Sequence, residues 1–122
     1  MSKILLIDDD ADFRLIFERK FTGLGHEVLS AADGVRGVQV VMDTPVDLIL
    51  LDLNMPHRGG VETLRLIRSV SLEVPVIILT GLLDEAAQAQ LKEWSVKNVV
   101  FKPVRIKDLV VTVQKALGMA QA

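Results

Sequence analysis

Val46-Asp47-Leu48-Ile49-Leu50-Leu51-Asp52 and Ile4-Leu5-Leu6-Ile7-Asp8-Asp9-Asp10 read alike, each a short apolar run that stops on a carboxylate. Apolar character without alternation marks a strand covered on both faces, as in a parallel sheet between helix layers. Parallel strands end on one edge of their sheet. The two runs therefore bring Asp8, Asp9 and Asp52 together there, with Asp10 close by. Carboxylates at that range raise each other's pKa and weaken the fold. A chain that keeps such a cluster implies a cation to neutralise it.

Further apolar runs at 28–31, 76–79 and 99–101 are separated by segments long enough for a helix. Phe13, Ile16, Phe17, Phe21 and Leu24 give the stripe of one amphipathic helix. Leu64, Ile67 and Val70 give another, opened by Gly59-Gly60. Ile106, Leu109, Val110, Val113 and Leu117 give a third over 105–118, with Gly118 as its stop signal. The segment 35–43 carries β-branched Val35, Val38, Val40 and Val41, but a parallel sheet needs a crossover there, so a helix is expected. The segment 84–95 is the weakest helix, because its stripe relies on Ala86, Ala87 and Ala89, with Leu91 and Trp94 as the only large anchors. A smaller buried area lowers the cost of local motion. Five βα units with right-handed crossovers predict an α/β fold, a doubly wound five-stranded parallel sheet with helices on both faces. Such sheets bind ligands beyond the carboxyl ends of their strands.

The 122 residues predict one domain over 1–122, long enough to bury roughly two-thirds of its unfolded surface. Half the residues are hydrophobic and a quarter are charged, an ordinary globular composition. The formal charge of −2, with no cluster of Lys or Arg, gives no electrostatic case for nucleic acid. Without cysteine there is neither a disulfide framework nor a thiolate metal site, which fits a reducing cytoplasm. No run is long enough for a signal peptide or a membrane span.

Four features fall at expected strand ends: Asp8-Asp9, Asp52, Thr80, and Lys102 with Pro103. Their chemistry suits phosphoryl transfer to a carboxylate. Clustered carboxylates and a few waters suit Mg²⁺, a hard cation that takes oxygen ligands. Asp52 is placed as the nucleophile, needing no general base because a carboxylate is already ionised at neutral pH. Lys102 offers a point charge to the phosphoryl group and Thr80 a hydroxyl donor.

In these motifs the chain resembles the response-regulator receiver domains of two-component signalling, close in layout to stand-alone chemotaxis (CheY-like) receivers. The matching stretches are Ile4–Asp9, Asp52-Leu53-Asn54-Met55-Pro56 with Gly60, Pro75–Gly81, and Phe101-Lys102-Pro103. The resemblance implies strand order 2-1-3-4-5. It implies that Asp52 accepts a phosphoryl group from a sensor histidine kinase or a histidine phosphotransfer protein. Asp9 would ligate Mg²⁺ directly and Asp8 largely through water, with Asp52 and the backbone carbonyl of Asn54 as further ligands. Thr80 and Lys102 would grip the phosphoryl group, and the Lys102–Pro103 bond would be cis. The chain would then be a signalling phosphoacceptor that catalyses only its own phosphorylation and dephosphorylation. Its switch surface would be helix 84–95, strand 98–102 and helix 105–118, read by a downstream target protein. The expected state is a monomer or a weak phosphorylation-dependent dimer, without nucleic acid or membrane.

Taken singly, each feature has a plainer reading. Asp8-Asp9-Asp10 suits a helix N-cap, Asp52 a solvated turn, Thr80-Gly81 a turn and Lys102 a surface lysine. Their joint occurrence at four strand ends favours the site. His57 is read as a solvated loop residue, His26 as part of the turn into the second strand, and Trp94 as core. Receivers often carry an aromatic residue three positions before the lysine, where this chain has Val99. Phe101 shares its strand parity with Val99, and is expected to be core packing only. Leu82, two residues after Thr80, cannot orient an attacking water as an acid or amide would, so slow self-dephosphorylation is expected. Met1-Ser2 suggests a natural start, and the 119–122 end decides nothing. Two alternatives stand beside this reading. One is a receiver excised from a larger regulator or hybrid kinase. The other is a haloacid-dehalogenase-like phosphohydrolase, although Asp12 falls where that family's Asp-x-Asp-x-Thr/Val pattern needs Thr or Val.

Overall fold

Five parallel strands carry the chain's apolar runs, and two of the three inner ones are buried at every residue. In the computed structural model, which describes residues 2–55 and 59–118, the elements alternate. They are β1 (Lys3–Ile7), α1 (Ala11–Gly23), β2 (Glu27–Ala31), α2 (Gly34–Asp43), β3 (Leu48–Asp52), α3 (Gly60–Val70), β4 (Val76–Thr80), α4 (Glu85–Glu93), β5 (Asn98–Phe101) and α5 (Ile106–Ala116). The strand order is β2-β1-β3-β4-β5, all pairs parallel. The segment 34–43 is a helix despite its valines, since β2 and β3 lie on opposite sides of β1 and need a crossover. His57 and Pro56 lie outside the described residues, as does the 119–122 end.

Strand alternation divides the core into two layers. Leu5, Ile7, Ile49, Leu51 and Ile78 face α2, α3 and α4, meeting Val41, Leu64, Ile67 and Leu91. Ile4, Leu6, Leu48, Leu50, Ile77 and Leu79 face the other way, against Phe17 and Phe21 of α1 and Leu109 and Val113 of α5. The period of two in a strand accounts for this division, and helices on both faces account for the unbroken apolar runs. Asp10, Asp33 and Asp84 open α1, α2 and α4 by accepting backbone N–H bonds from the first turn. The plainer reading of Asp10 is therefore correct.

Four expectations about packing change. Ile16 is 53% exposed and Leu24 also faces water, because Phe13, Phe17 and Phe21, spaced four apart, hold the inner face of α1. Val70 is exposed at the end of α3, where Thr63 and Arg68 are buried beside Leu64 and Ile67. In α4 only Leu91 is buried, Ala86 and Ala89 are exposed, and Trp94 is half-buried. Phe101 is not core, being 56% exposed. It ends edge strand β5, on the sheet face it shares with Val99, the α4 side.

Gly60 allows α3 to start against the end of β3. A Cβ at Gly60 would overlap Leu53 Cα and lie 2.8 Å from the Asp52 carbonyl oxygen. Alanine normally favours a helix over glycine, but a backbone overlap reverses the sign. Gly60→Ala should cost about 1–3 kcal/mol. Gly23→Ala, at an α1 position with nothing within 4 Å, should add about 0.4–1 kcal/mol. Urea unfolding of both variants checks the opposite signs.

Candidate functional site

The site forms where β1, β3, β4 and β5 end. Asp8 follows β1, is fully buried, and donates its N–H to Ala31 O at 3.0 Å. Its Oδ1 accepts from Asp10 N–H at 2.9 Å, which fixes the turn into α1. Asp52 is the last residue of β3 and is also buried. Its Oδ1 accepts from Asn54 N–H at 2.9 Å. Asp9 lies beside them, exposed. One carboxylate oxygen from each of Asp8, Asp9 and Asp52 falls within 4.8 Å of the others.

Lys102 closes the cluster from β5. Its Nζ lies 2.7 Å from Asp8 Oδ2 and 3.4 Å from Asp52 Oδ2, and 5.0 Å from the centroid of the Phe13 ring. Lys102 N–H donates to Thr80 O at 2.8 Å, so the β4–β5 ladder extends to the point where the side chain turns inward. The Lys102–Pro103 bond is cis, as expected.

Burial and charge oppose each other in this cluster. Asp52 is held above the ordinary carboxylate range, first by burial and then by the Asp8 charge. The Asn54 N–H and Lys102 pull it down without cancelling the rise. Burial lowers the Lys102 ammonium, but the Asp8 carboxylate, with help from Asp52, outweighs it and holds the lysine above its usual range. Three carboxylates against one ammonium leave an excess of two negative charges when all are ionised. A hard divalent cation with oxygen ligands would balance that excess, so the donor set fits Mg²⁺.

Thr80 ends β4 and is buried. Among the described residues its hydroxyl bonds neither Asp52 nor Lys102. Its Oγ1 lies 2.8 Å from Asn54 Oδ1 and 2.7 Å from Leu82 O. Thus Asp8, Asp9, Asp52 and Lys102 meet, while Thr80 stands beside them with its hydroxyl engaged elsewhere. Sequence reasoning missed one residue here, Arg14, and one side-chain contact of a residue it had named, Asn54. The Arg14 Nη1 donates to Asp8 O at 2.7 Å, tying the first turn of α1 to the β1 end. The Asn54 side chain joins the β3 and β4 loops, accepting also from Gly81 N–H at 2.9 Å. Arg14 falls one turn after the Asp10 cap, a spacing that hints at its reach. No sequence pattern signals the Asn54 contact.

Comparison with known proteins settles the family. The model described as "Response regulator receiver domain" matches residues 4–114. The chain belongs to the response regulator receiver family. It is similar to a "Probable transcriptional regulator ycf27" of Porphyridium aerugineum, 34% identical over 115 residues, covering 94% of this chain and 48% of that protein. It is also similar to a "Probable chemotaxis protein CheY" of Rhizobium etli, 29% identical over 119 residues, covering 95% of this chain and 92% of that one. A solved receiver domain protein (CheY-like) from Methanospirillum hungatei superposes with a TM-score of 0.92 at 23% identity. That likeness covers 97% of this chain and 94% of the other, and shows the shared fold. The chain spans about half the length, or less, of the transcriptional regulators it matches. No helix among the described residues is long and apolar enough to cross a membrane.

The raised pKa of Asp52 has a consequence for stability. A carboxyl whose folded pKa exceeds its unfolded value adds stability that is present below the unfolded pKa. That stability is lost as pH rises through the folded pKa. At neutral pH the ionised Asp52 therefore weakens the fold. Asp52→Asn, measured with a chelator present, should be more stable than the unaltered chain at pH 7. The gap should close as pH falls through the carboxylate range. Thermal unfolding across pH 3–8 measures this difference.

Proposed function

We propose that Asp52 is the phosphoacceptor of a two-component phosphorelay and that its modification switches a protein-binding surface. The observation that carries the proposal is the meeting of Asp8, Asp9, Asp52 and Lys102 from three separate strand ends. On this reading an Asp52 carboxylate oxygen attacks the phosphorus of a phosphohistidine on a sensor kinase or phosphotransfer protein. The P–N bond breaks, its electron pair stays on the imidazole, and an acyl phosphate forms. Asp8, Asp9, Asp52 and the main-chain carbonyl of Asn54 would hold Mg²⁺. When bound, that ion would neutralise the cluster and offset charge on the phosphoryl oxygens. The Lys102 ammonium, already between Asp8 and Asp52, would turn to a phosphoryl oxygen, and Arg14 would keep the Asp8 main chain in place.

The readout follows from the packing. Thr80 would leave its present partners to reach a phosphoryl oxygen. The segment behind it, α4, buries one side chain and repacks at low cost. The face formed by α4, β5 and α5 would be read by a downstream protein, with exposed Phe101 and Val111 as apolar contacts. On this reading the chain acts within the reducing cytoplasm, as a receiver over 1–122. A phosphohydrolase with its nucleophile after the first strand is disfavoured, because Asp12 stands where that pattern needs Thr or Val and the receiver family model matches residues 4–114.

Intact mass after incubation with acetyl phosphate and Mg²⁺ tests the reading. One added phosphoryl group is expected, and is lost with Asp52→Asn or with chelator. An adduct that survives Asp52→Asn contradicts it. The adduct should also decay slowly, because Leu82 is 80% exposed and offers no group to orient water. Leu82→Glu should speed the decay, and an unchanged rate would sink that idea.

A further inference from the structure

Asn54 spans the gap between the proposed phosphoacceptor and Thr80. Its main-chain N–H donates to Asp52 Oδ1 at 2.9 Å. Its side-chain Oδ1 receives Gly81 N–H at 2.9 Å and lies 2.8 Å from Thr80 Oγ1. The Gly81 N–H can only donate, which fixes the carboxamide with its oxygen toward β4. Thr80 Oγ1 also lies 2.7 Å from Leu82 O and 3.3 Å from Leu82 N. A hydroxyl has one proton, so Thr80 gives it to Asn54 or to Leu82, and both acceptors compete with a phosphoryl oxygen.

We propose that the Asn54 carboxamide is a positioning residue that latches the Thr80 hydroxyl in its resting orientation. The latch sets how strongly a phosphoryl group must bind before Thr80 turns to it. The inference rests on the phosphoacceptor reading above and adds a regulating side chain to that site. Where the binding-competent state is only partly populated, apparent affinity falls by its fraction. Removing one hydrogen bond of ordinary net strength should therefore raise affinity for a phosphoryl mimic about 2- to 12-fold. Asn54→Ala leaves the main-chain carbonyl in place. Gly81 is exposed, so water can satisfy the N–H that the substitution releases.

Calorimetric titration of the full chain with beryllofluoride at saturating Mg²⁺ tests the latch. Asn54→Ala should bind the mimic about 2- to 12-fold tighter than the unaltered chain. The gain should persist with Thr80→Ser, which keeps the hydroxyl, and vanish with Thr80→Val, which lacks it. Equal or weaker binding by Asn54→Ala, or an equal gain in the Thr80→Val background, overturns the inference. A second measurement needs no mimic. Three-bond couplings to the Thr80 γ-methyl should report one χ1 rotamer in the unaltered chain and a mixture in Asn54→Ala. One unchanged rotamer in the variant also overturns it. If the unaltered chain does not bind beryllofluoride, the phosphoacceptor reading fails and the latch with it. Tight binding that is indifferent to Asn54 removes the latch alone.

Discussion

The ammonium of Lys102, 2.7 Å from Asp8 and 3.4 Å from Asp52, makes the carboxyl edge of this sheet tenable. Two buried carboxylates from adjacent strands repel each other, and neither can move away, because each is fixed by its strand and by a backbone N–H. One lysine reduces that repulsion without cancelling it, and Asp9 adds a third acid. A chain optimised for stability alone would replace such a group with apolar residues, at little cost or with gain. Keeping it leaves a site that favours cations and places an ionisable oxygen beside a fixed positive charge. The chemistry and the instability have the same origin.

The order of the sheet follows from the same constraint. β1 and β3 are neighbours, so Asp8 and Asp52 end side by side, and β5 lies two strands from β3 and three from β1. Lys102 must therefore reach across the ends of β4 and β3, and its ammonium lies over the Phe13 ring of α1, 5.0 Å from the centroid. The negative face of an aromatic ring attracts a cation at that range, which helps to hold the charge away from its own strand.

Much of this was legible in the sequence because two-sided burial writes itself as unbroken apolar runs. Those runs located β1, β3 and β4, and their last residues located Asp8, Asp52 and Thr80. The edge strands β2 and β5 carry weaker patterns because water reaches them. The same exposure explains why Phe101 was read as core when it lies open at the end of β5. Helical stripes erred at their margins, at Ile16 and Val70, where one more apolar residue at helical spacing need not find a partner. The Arg14 tether and the Asn54 side-chain contact depend on how loops approach after folding. The spacing of Arg14 hints at its reach, while no local pattern encodes Asn54's. What the sequence displayed was the set of groups, and what the structure adds is which of them restrain Thr80.

The central claim is that this carboxyl edge exists to place a phosphoryl group on Asp52. Borohydride reduces an acyl phosphate to an alcohol and so marks the residue that carried it. After treatment with acetyl phosphate and Mg²⁺, reduction and peptide mapping should find homoserine at position 52 and at no other aspartate. Reduction at Asp8 or Asp9, or an unreduced chain that nevertheless carries a stable phosphoryl group elsewhere, would contradict the account.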